Sequence, residues 1–252
     1  MKRIIFTQIL FFLFISFTSL YAQWAKTYGG NENDVVWSLI QQTSDGGYIV
    51  TGYTESFGAG RRDIWILKLD SNGTIEWQRT YGGSYNELAN SIQQTSDGGY
   101  IAAGISFSFG SGSGDFWVLK LDSTGNIEWQ RAYGGSEKDY ATSIQQTNDG
   151  GYIVEGQTYS FGSGWIDIWI LKLSSVGDIE WQRTYGGSSG DFAWWIQQTS
   201  DGGYIIAGET NSFGDGSDDA WILKLSSVGD IEWQRIYGGN KQDWSSIIQQ
   251  TS

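Results

Sequence analysis

Residues Asp149–Trp181 read DGGYIVEGQTYSFGSGWIDIWILKLSSVGDIEW, and the chain says nearly the same thing again from Asp45, Asp97 and Asp201. The four aspartates stand 52 residues apart each time, so one structural unit is being copied. Each unit holds four short apolar runs, as in Ser143–Thr147, Tyr152–Gly156, Ile168–Leu173 and Ile179–Arg183. The runs are rich in Ile, Trp and Tyr and are bounded by Gly, Asn, Asp and Ser, which is the pattern of strands. No stretch after the first two dozen residues carries a helical period. Runs such as WIL, YIV and IEW are apolar at adjacent positions, as in sheets buried on both faces. Four antiparallel strands in a unit of this length match a propeller blade. The expected fold is all-β: a β-propeller of four-stranded antiparallel blades in 52-residue repeats, an open fragment of a larger propeller. A flat solenoid of hairpins is the rival arrangement.

The expected layout is a signal peptide at 1–22 and propeller repeats at 23–252. The repeats divide into an outer strand at 24–30, full blades at about 36–81, 89–133, 141–185 and 193–237, and a partial fifth blade at 245–252. The leader is read from Lys2 and Arg3, the apolar run Ile4–Leu20 and the small residue Ala22 before Gln23. It predicts a secreted or cell-surface protein with no membrane span in the mature chain. Its removal takes the formal net charge from −13 to −15.

Turn chemistry predicts the pairing. In Leu69–Ile75 a three-residue Ser-Asn-Gly loop, with Gly73 left-handed, closes a hairpin. That register sets Leu69 against Ile75, Lys68 against Glu76 and Leu67 against Trp77. The Lys–Glu pair recurs as Lys120–Glu128, Lys172–Glu180 and Lys224–Glu232. At Ser44–Gly47 the two-residue Asp-Gly turn and the longer Ser-Asp-Gly-Gly turn both fit.

The segments GGYIVTGYTESFG and DIWILKLDSNGTIEW, with their copies, resemble the bacterial SBBP-type β-propeller repeats. They are more loosely similar to the pyrroloquinoline-quinone-dehydrogenase-like propellers, through a Tyr-x-x-x-Gly strand, a Leu-Asp-x-x-Gly hairpin and a closing Trp. The resemblance covers Trp24–Ser252 and implies a secreted or surface propeller.

Composition narrows the chemistry. The chain has no Cys, His or Pro, 14 Trp and 36 Gly. Disulfides, thiolate nucleophiles and imidazole bases or ligands are therefore excluded. A net charge of −13 argues against nucleic acid as a partner. Strand order puts the two long loops of each unit on one face, and loops on a rigid scaffold are where binding residues collect. Nine Trp recur with the repeat and read as core: Trp24, Trp65, Trp77, Trp117, Trp129, Trp169, Trp181, Trp221 and Trp233. The other five, Trp37, Trp165, Trp194, Trp195 and Trp244, lie in or beside the long loops. Individually they suit the core, and together they would form a platform for a carbohydrate or protein ligand.

Regular acidic residues end one long loop (Asp63, Asp115, Asp167, Asp219) and follow Tyr-Gly-Gly in the other (Asp34, Glu87, Asp139, Asp191, Asp243). They read as acceptors of backbone N–H groups in Gly-rich turns. The alternative is Ca²⁺, best offered by Asp215, Asp218 and Asp219, although their spacing is not that of an EF-hand loop. No catalytic motif appears. Glu155, where other units have Thr51, Ala103 and Ala207, reads as a partly exposed strand position. The expected function is a secreted binding or structural scaffold with its ligand on the long-loop face. The alternative is an extracellular enzyme, a glycoside hydrolase or quinone-dependent dehydrogenase. The unpaired strands at the two ends of the repeat array are expected to promote self-association.

Overall fold

A computed structural model describes residues 25–36, 38, 40–215, 217–245 and 247–251. The expected signal peptide, Trp24 and Trp37 lie outside the described residues. The first blade contains β1 (Asp34–Val36), β2 (Gln41–Gln42), β3 (Tyr48–Thr54), β4 (Asp63–Leu69) and β5 (Ile75–Tyr81). Here β1 and β2 are two pieces of one inner strand, both paired to β3. The second blade is β6 (Glu87–Gln94), β7 (Tyr100–Ser106), β8 (Asp115–Leu121) and β9 (Ile127–Tyr133). The third is β10 (Asp139–Gln146), β11 (Tyr152–Thr158), β12 (Asp167–Leu173) and β13 (Ile179–Tyr185). The fourth is β14 (Asp191–Gln198), β15 (Tyr204–Thr210), β16 (Asp219–Leu225) and β17 (Ile231–Tyr237). Every sheet is an antiparallel meander in chain order, the sheets do not close into a ring, and no described residue is helical.

The second and third strands of the blades are buried along almost their whole length, which is why their apolar residues do not alternate. Trp65, Trp117, Trp169 and Trp221 sit inside the blade packing. The outer-strand tryptophans are half-buried and meet a tyrosine of the following blade edge-on: Trp77–Tyr100 at 5.7 Å, Trp129–Tyr152 at 5.8 Å and Trp181–Tyr204 at 5.9 Å. Trp233, on the last described outer strand, is exposed.

Two sets of polar bonds stitch neighbouring blades. The Tyr81, Tyr133 and Tyr185 hydroxyls donate to the carbonyls of Gly125, Gly177 and Gly229 at 2.6, 2.5 and 2.6 Å. Successive Gln-Gln pairs bond to one another across the junctions. The Gln146 N–H donates to Gln93 Oε1 of the preceding blade at 2.6 Å, and Gln146 Oε1 accepts the Ser96 N–H at 2.8 Å. Gln94, Gln198 and Gln250 repeat the arrangement. The C-terminal segment thus takes the inner position of a fifth blade without forming a strand.

The turn at Thr43–Gly47 is a three-residue Ser-Asp-Gly loop, unlike either alternative drawn from sequence. Thr43 and Gly47 pair at its base, and Gly46 takes φ +83°. The other hairpin has the expected Ser-Asn-Gly loop, with Gly73 at φ +70° and Leu69 opposite Ile75. Beyond that point the expected register is corrected. Lys68 lies opposite Trp77 and Leu67 opposite Gln78, because Glu76 is the extra residue of a β-bulge. The bulge still delivers the Glu76 carboxylate to Lys68 Nζ at 2.7 Å, and Asp45 of the neighbouring turn reaches the same ammonium at 2.8 Å. A buried lysine therefore ties the two tight turns of each blade together, as in Lys120 with Asp97 and Glu128.

Candidate ligand-binding face

The long loops of a blade pair with each other at their bases. Arg62 and Asn86 form a parallel bridge, and so do Ile166 and Gly190. The acidic residues expected in these loops cap the glycine-rich turns, and all but Asp243 are the first residues of strands. Asp63 accepts the Gly60 N–H at 2.9 Å and Asp115 that of Ser111 at 2.6 Å. Glu87 accepts the Gly83 N–H, Asp139 that of Gly135 and Asp191 that of Gly187, each at 2.8 Å. The two sets converge on the first glycine of Tyr-Gly-Gly. A Cβ at Gly134 would stand 1.7 Å from Asp115 Oδ1 and 2.9 Å from Asp139 Oδ2, so only glycine fits between them. Burial, with the nearby Asp191 charge, holds the Asp167 carboxyl above its ordinary range despite the N–H groups of Gly164 and Ser163.

Of the residues expected to hold Ca²⁺, Asp219 does for its loop what Asp63 does for the first, accepting the Asp215 N–H at 3.0 Å. Asp218 accepts from the Gln242 side chain at 2.7 Å. Among the described residues no three Asp or Glu side chains gather as a metal-binding group.

The tryptophans are placed differently from a simple loop cluster. Trp165 is on the third blade's long loop, 70% exposed, and meets Tyr159 edge-on at 6.1 Å. Trp194 and Trp195 are within the inner strand β14, not in a loop, and both line the axial channel. That channel measures about 620 Å³ and is bounded by Asn90, Gln93, Thr142 and Gln145 as well. Inner strands carry a bulge at Asn90, Thr142 and Trp194. Trp194 stacks on Phe192, with ring centres 6.3 Å apart and planes 6° from parallel. Gly190 lies between Phe192 and Trp165: a Cβ there would be 3.2 Å from one ring and 3.9 Å from the other. Tyr159, Trp165, Phe192 and Trp194 thus form a row from a long loop of the third blade to the mouth of the channel. Trp244 extends it, since Trp194, Trp244, Glu209 and Ser245 line a second recess of about 370 Å³.

Glu155 is not the partly exposed strand residue expected. It is fully buried beside the inner strand of its own blade, where Thr142 donates to Oε1 at 2.5 Å and Oε2 has no partner. Its strand neighbour Gln157 donates to the Ala193 carbonyl at 2.5 Å and also leaves an acceptor oxygen unpaired. Burial pushes the Glu155 carboxyl up to about 8, against the pull of the Thr142 hydroxyl.

Sequence reasoning passed over two features. The Gln-Gln pair recurs in every unit at a strand end, and that repetition was the signal for its stitching role. Glu209 stands where the other units have Tyr53, Ile105 and Gln157, the same kind of departure that singled out Glu155. It is nearly buried and accepts the Trp194 indole N–H at 2.8 Å. Burial first, and then the charge of Asp218, raise its carboxyl above the ordinary range.

No family model matches the chain. Over 137 residues the chain is 28% identical to the regulatory protein FlaEY of Caulobacter vibrioides, a match spanning 48% of this chain and 14% of that protein. Among solved structures it is similar to a protein of unknown function from Bacteroides caccae, with TM-score 0.41 and 12% identity over 80% of this chain and 81% of the other. An endo-1,5-α-L-arabinanase from Thermotoga petrophila gives TM-score 0.42 and 17% identity over 78% of this chain and 58% of its own. The blade architecture stands on the strand pairing itself.

Proposed function

We propose that the chain is a secreted or cell-surface propeller scaffold that binds a carbohydrate or protein ligand on its long-loop face. The row Tyr159, Trp165, Phe192, Trp194 and Trp244 supports this reading: the exposed rings of Trp165, Trp194 and Trp244, backed by half-buried Tyr159 and Phe192, line up and end at an open recess. The location in this proposal rests on the leader expected from Lys2, Arg3 and the apolar run Ile4–Leu20. Glu155, the departure from the repeat that the sequence offered as a catalytic candidate, is fully buried, and this favours binding over catalysis in the proposal. Replacing Trp194 and Trp195 by Ala should weaken binding on glycan arrays or to a protein partner at least tenfold. Replacing Asp45 or Asn72 in the tight turns should leave binding intact. The proposal fails if the turn changes abolish binding and the tryptophan changes, in a chain still folded by circular dichroism, do not.

A further inference from the structure

The blade junctions share one geometry, and their occupants can be compared position by position. Each brings together the bulge residue of one inner strand, the second residue of the next inner segment, and a residue of the intervening second strand. At the second junction these are Asn90, Tyr140 and Ile105; at the third, Thr142, Phe192 and Gln157. At the fourth they are Trp194, Trp244 and Glu209, and there alone two indoles and a carboxylate bound a recess, of about 370 Å³.

Two other junctions already place a cation of the chain's own on an aromatic ring, at the Glu209 position (Tyr53) in one and at the Trp244 position (Tyr140) in the other. The Arg62 guanidinium lies 4.7 Å from the centre of Tyr53, and the Lys138 ammonium 4.9 Å from that of Tyr140. At the fourth junction the aromatic surface is larger, and the carboxylate adds a negative charge at its wall. Among the described residues no Lys or Arg pairs with Glu209 or lies over Trp194 or Trp244. Asp218 adds to the negative field at Glu209. Indole faces attract cations through their quadrupole, and a carboxylate with little water around it strengthens the attraction.

We propose that the recess formed by Trp194, Trp244 and Glu209 is a binding site for an organic ammonium group, such as the side chain of a lysine or methylated lysine on a protein partner. This inference rests on the long-loop face being the binding face and narrows the ligand there to a cation. Trp244, 71% exposed, bounds the recess on one side, while Trp194, held by Glu209 and stacked on Phe192, forms the other wall.

The test uses the full chain, titrated by calorimetry with choline, Nα-acetyl-Nε-trimethyllysine amide and the neutral choline isostere 3,3-dimethylbutan-1-ol. Both ammonium probes should bind, and the isostere at least tenfold more weakly. Glu209→Gln keeps an acceptor for the Trp194 indole and removes the charge, so it should lower ammonium affinity at least tenfold with the melting temperature unchanged. Trp244→Ala, at an exposed position, should do the same without unfolding the chain. Equal binding of the isostere, unchanged affinity in Glu209→Gln, or no ammonium binding would each overturn the proposal. If ammonium binding is absent while Trp194 and Trp195 substitution still weakens glycan-array binding, the cation assignment falls and the face assignment stands.

Discussion

Replacing Lys120 by Met cuts the tie between the two tight turns of the second blade. The ammonium is almost fully buried and donates to Asp97 at 2.9 Å, Glu128 at 2.8 Å and the Leu121 carbonyl at 3.1 Å. Charge-assisted bonds are worth roughly 1.5–3 kcal/mol where both partners are dry. Here the Asp97 and Glu128 side chains are 55% and 47% exposed, so water screens them. About 1 kcal/mol each is the discounted figure. Losing the carbonyl bond adds roughly 1 kcal/mol, and with no ammonium to dehydrate on folding part of the loss is offset. The net is about 2 kcal/mol, equivalent to a fall of about 4–8 °C in melting temperature for a chain of this size.

The same substitution should blunt acid sensitivity. Burial raises the Asp97 carboxyl, but the Thr95 hydroxyl, Lys120 and the Gly99 N–H outweigh it and lower it to about 2 from 3.8. A depressed carboxyl gives stability that is complete above the unfolded value and fades as pH falls through the folded one. The wild-type chain should therefore lose stability between about pH 4 and pH 2 more steeply than Lys120→Met. Urea midpoints and melting curves across that range measure both effects. A melting temperature unchanged or raised by Lys120→Met would refute the reasoning, because it would mean that dehydrating the ammonium costs as much as its three bonds return.

Glu155→Gln should flatten the pH dependence of stability. Its folded value of about 8 exceeds the ordinary 4.5, so the folded chain holds the extra proton between them and stability falls as pH rises through that window. Urea midpoints at pH 5 and pH 8 should differ in the wild type by more than in the variant, and equal differences would contradict the assignment. Tyr133→Phe leaves the Gly177 carbonyl without its 2.5 Å donor at a buried blade junction and should cost about 1–2 kcal/mol by urea denaturation. An unchanged midpoint would show that the hydroxyl is not part of the blade stitching.

The repeat of 52 residues, the four runs per unit and the Ser-Asn-Gly loop determined the blade without coordinates, because pleated pairing and left-handed glycine leave their marks locally. The pairing of Lys68 with Glu76 was legible for the same reason, being eight residues apart across one turn. The bulge at Glu76 was not, because a bulge is chosen by how the twisted strand packs and leaves the composition of the run unchanged. Contacts between blades were hidden altogether: Gln146 with Gln93 and Tyr133 with Gly177 join residues 53 and 44 apart, and nothing local specifies which turn a side chain will meet. Burial decided the rest. The sequence marked Glu155 as unusual but not as sealed, and it showed five odd tryptophans without the axis that gathers Trp194, Trp195 and Trp244 around the channel and its recess. Which side chains converge depends on how neighbouring blades splay about that axis, and this is a property of the packed array rather than of any one unit.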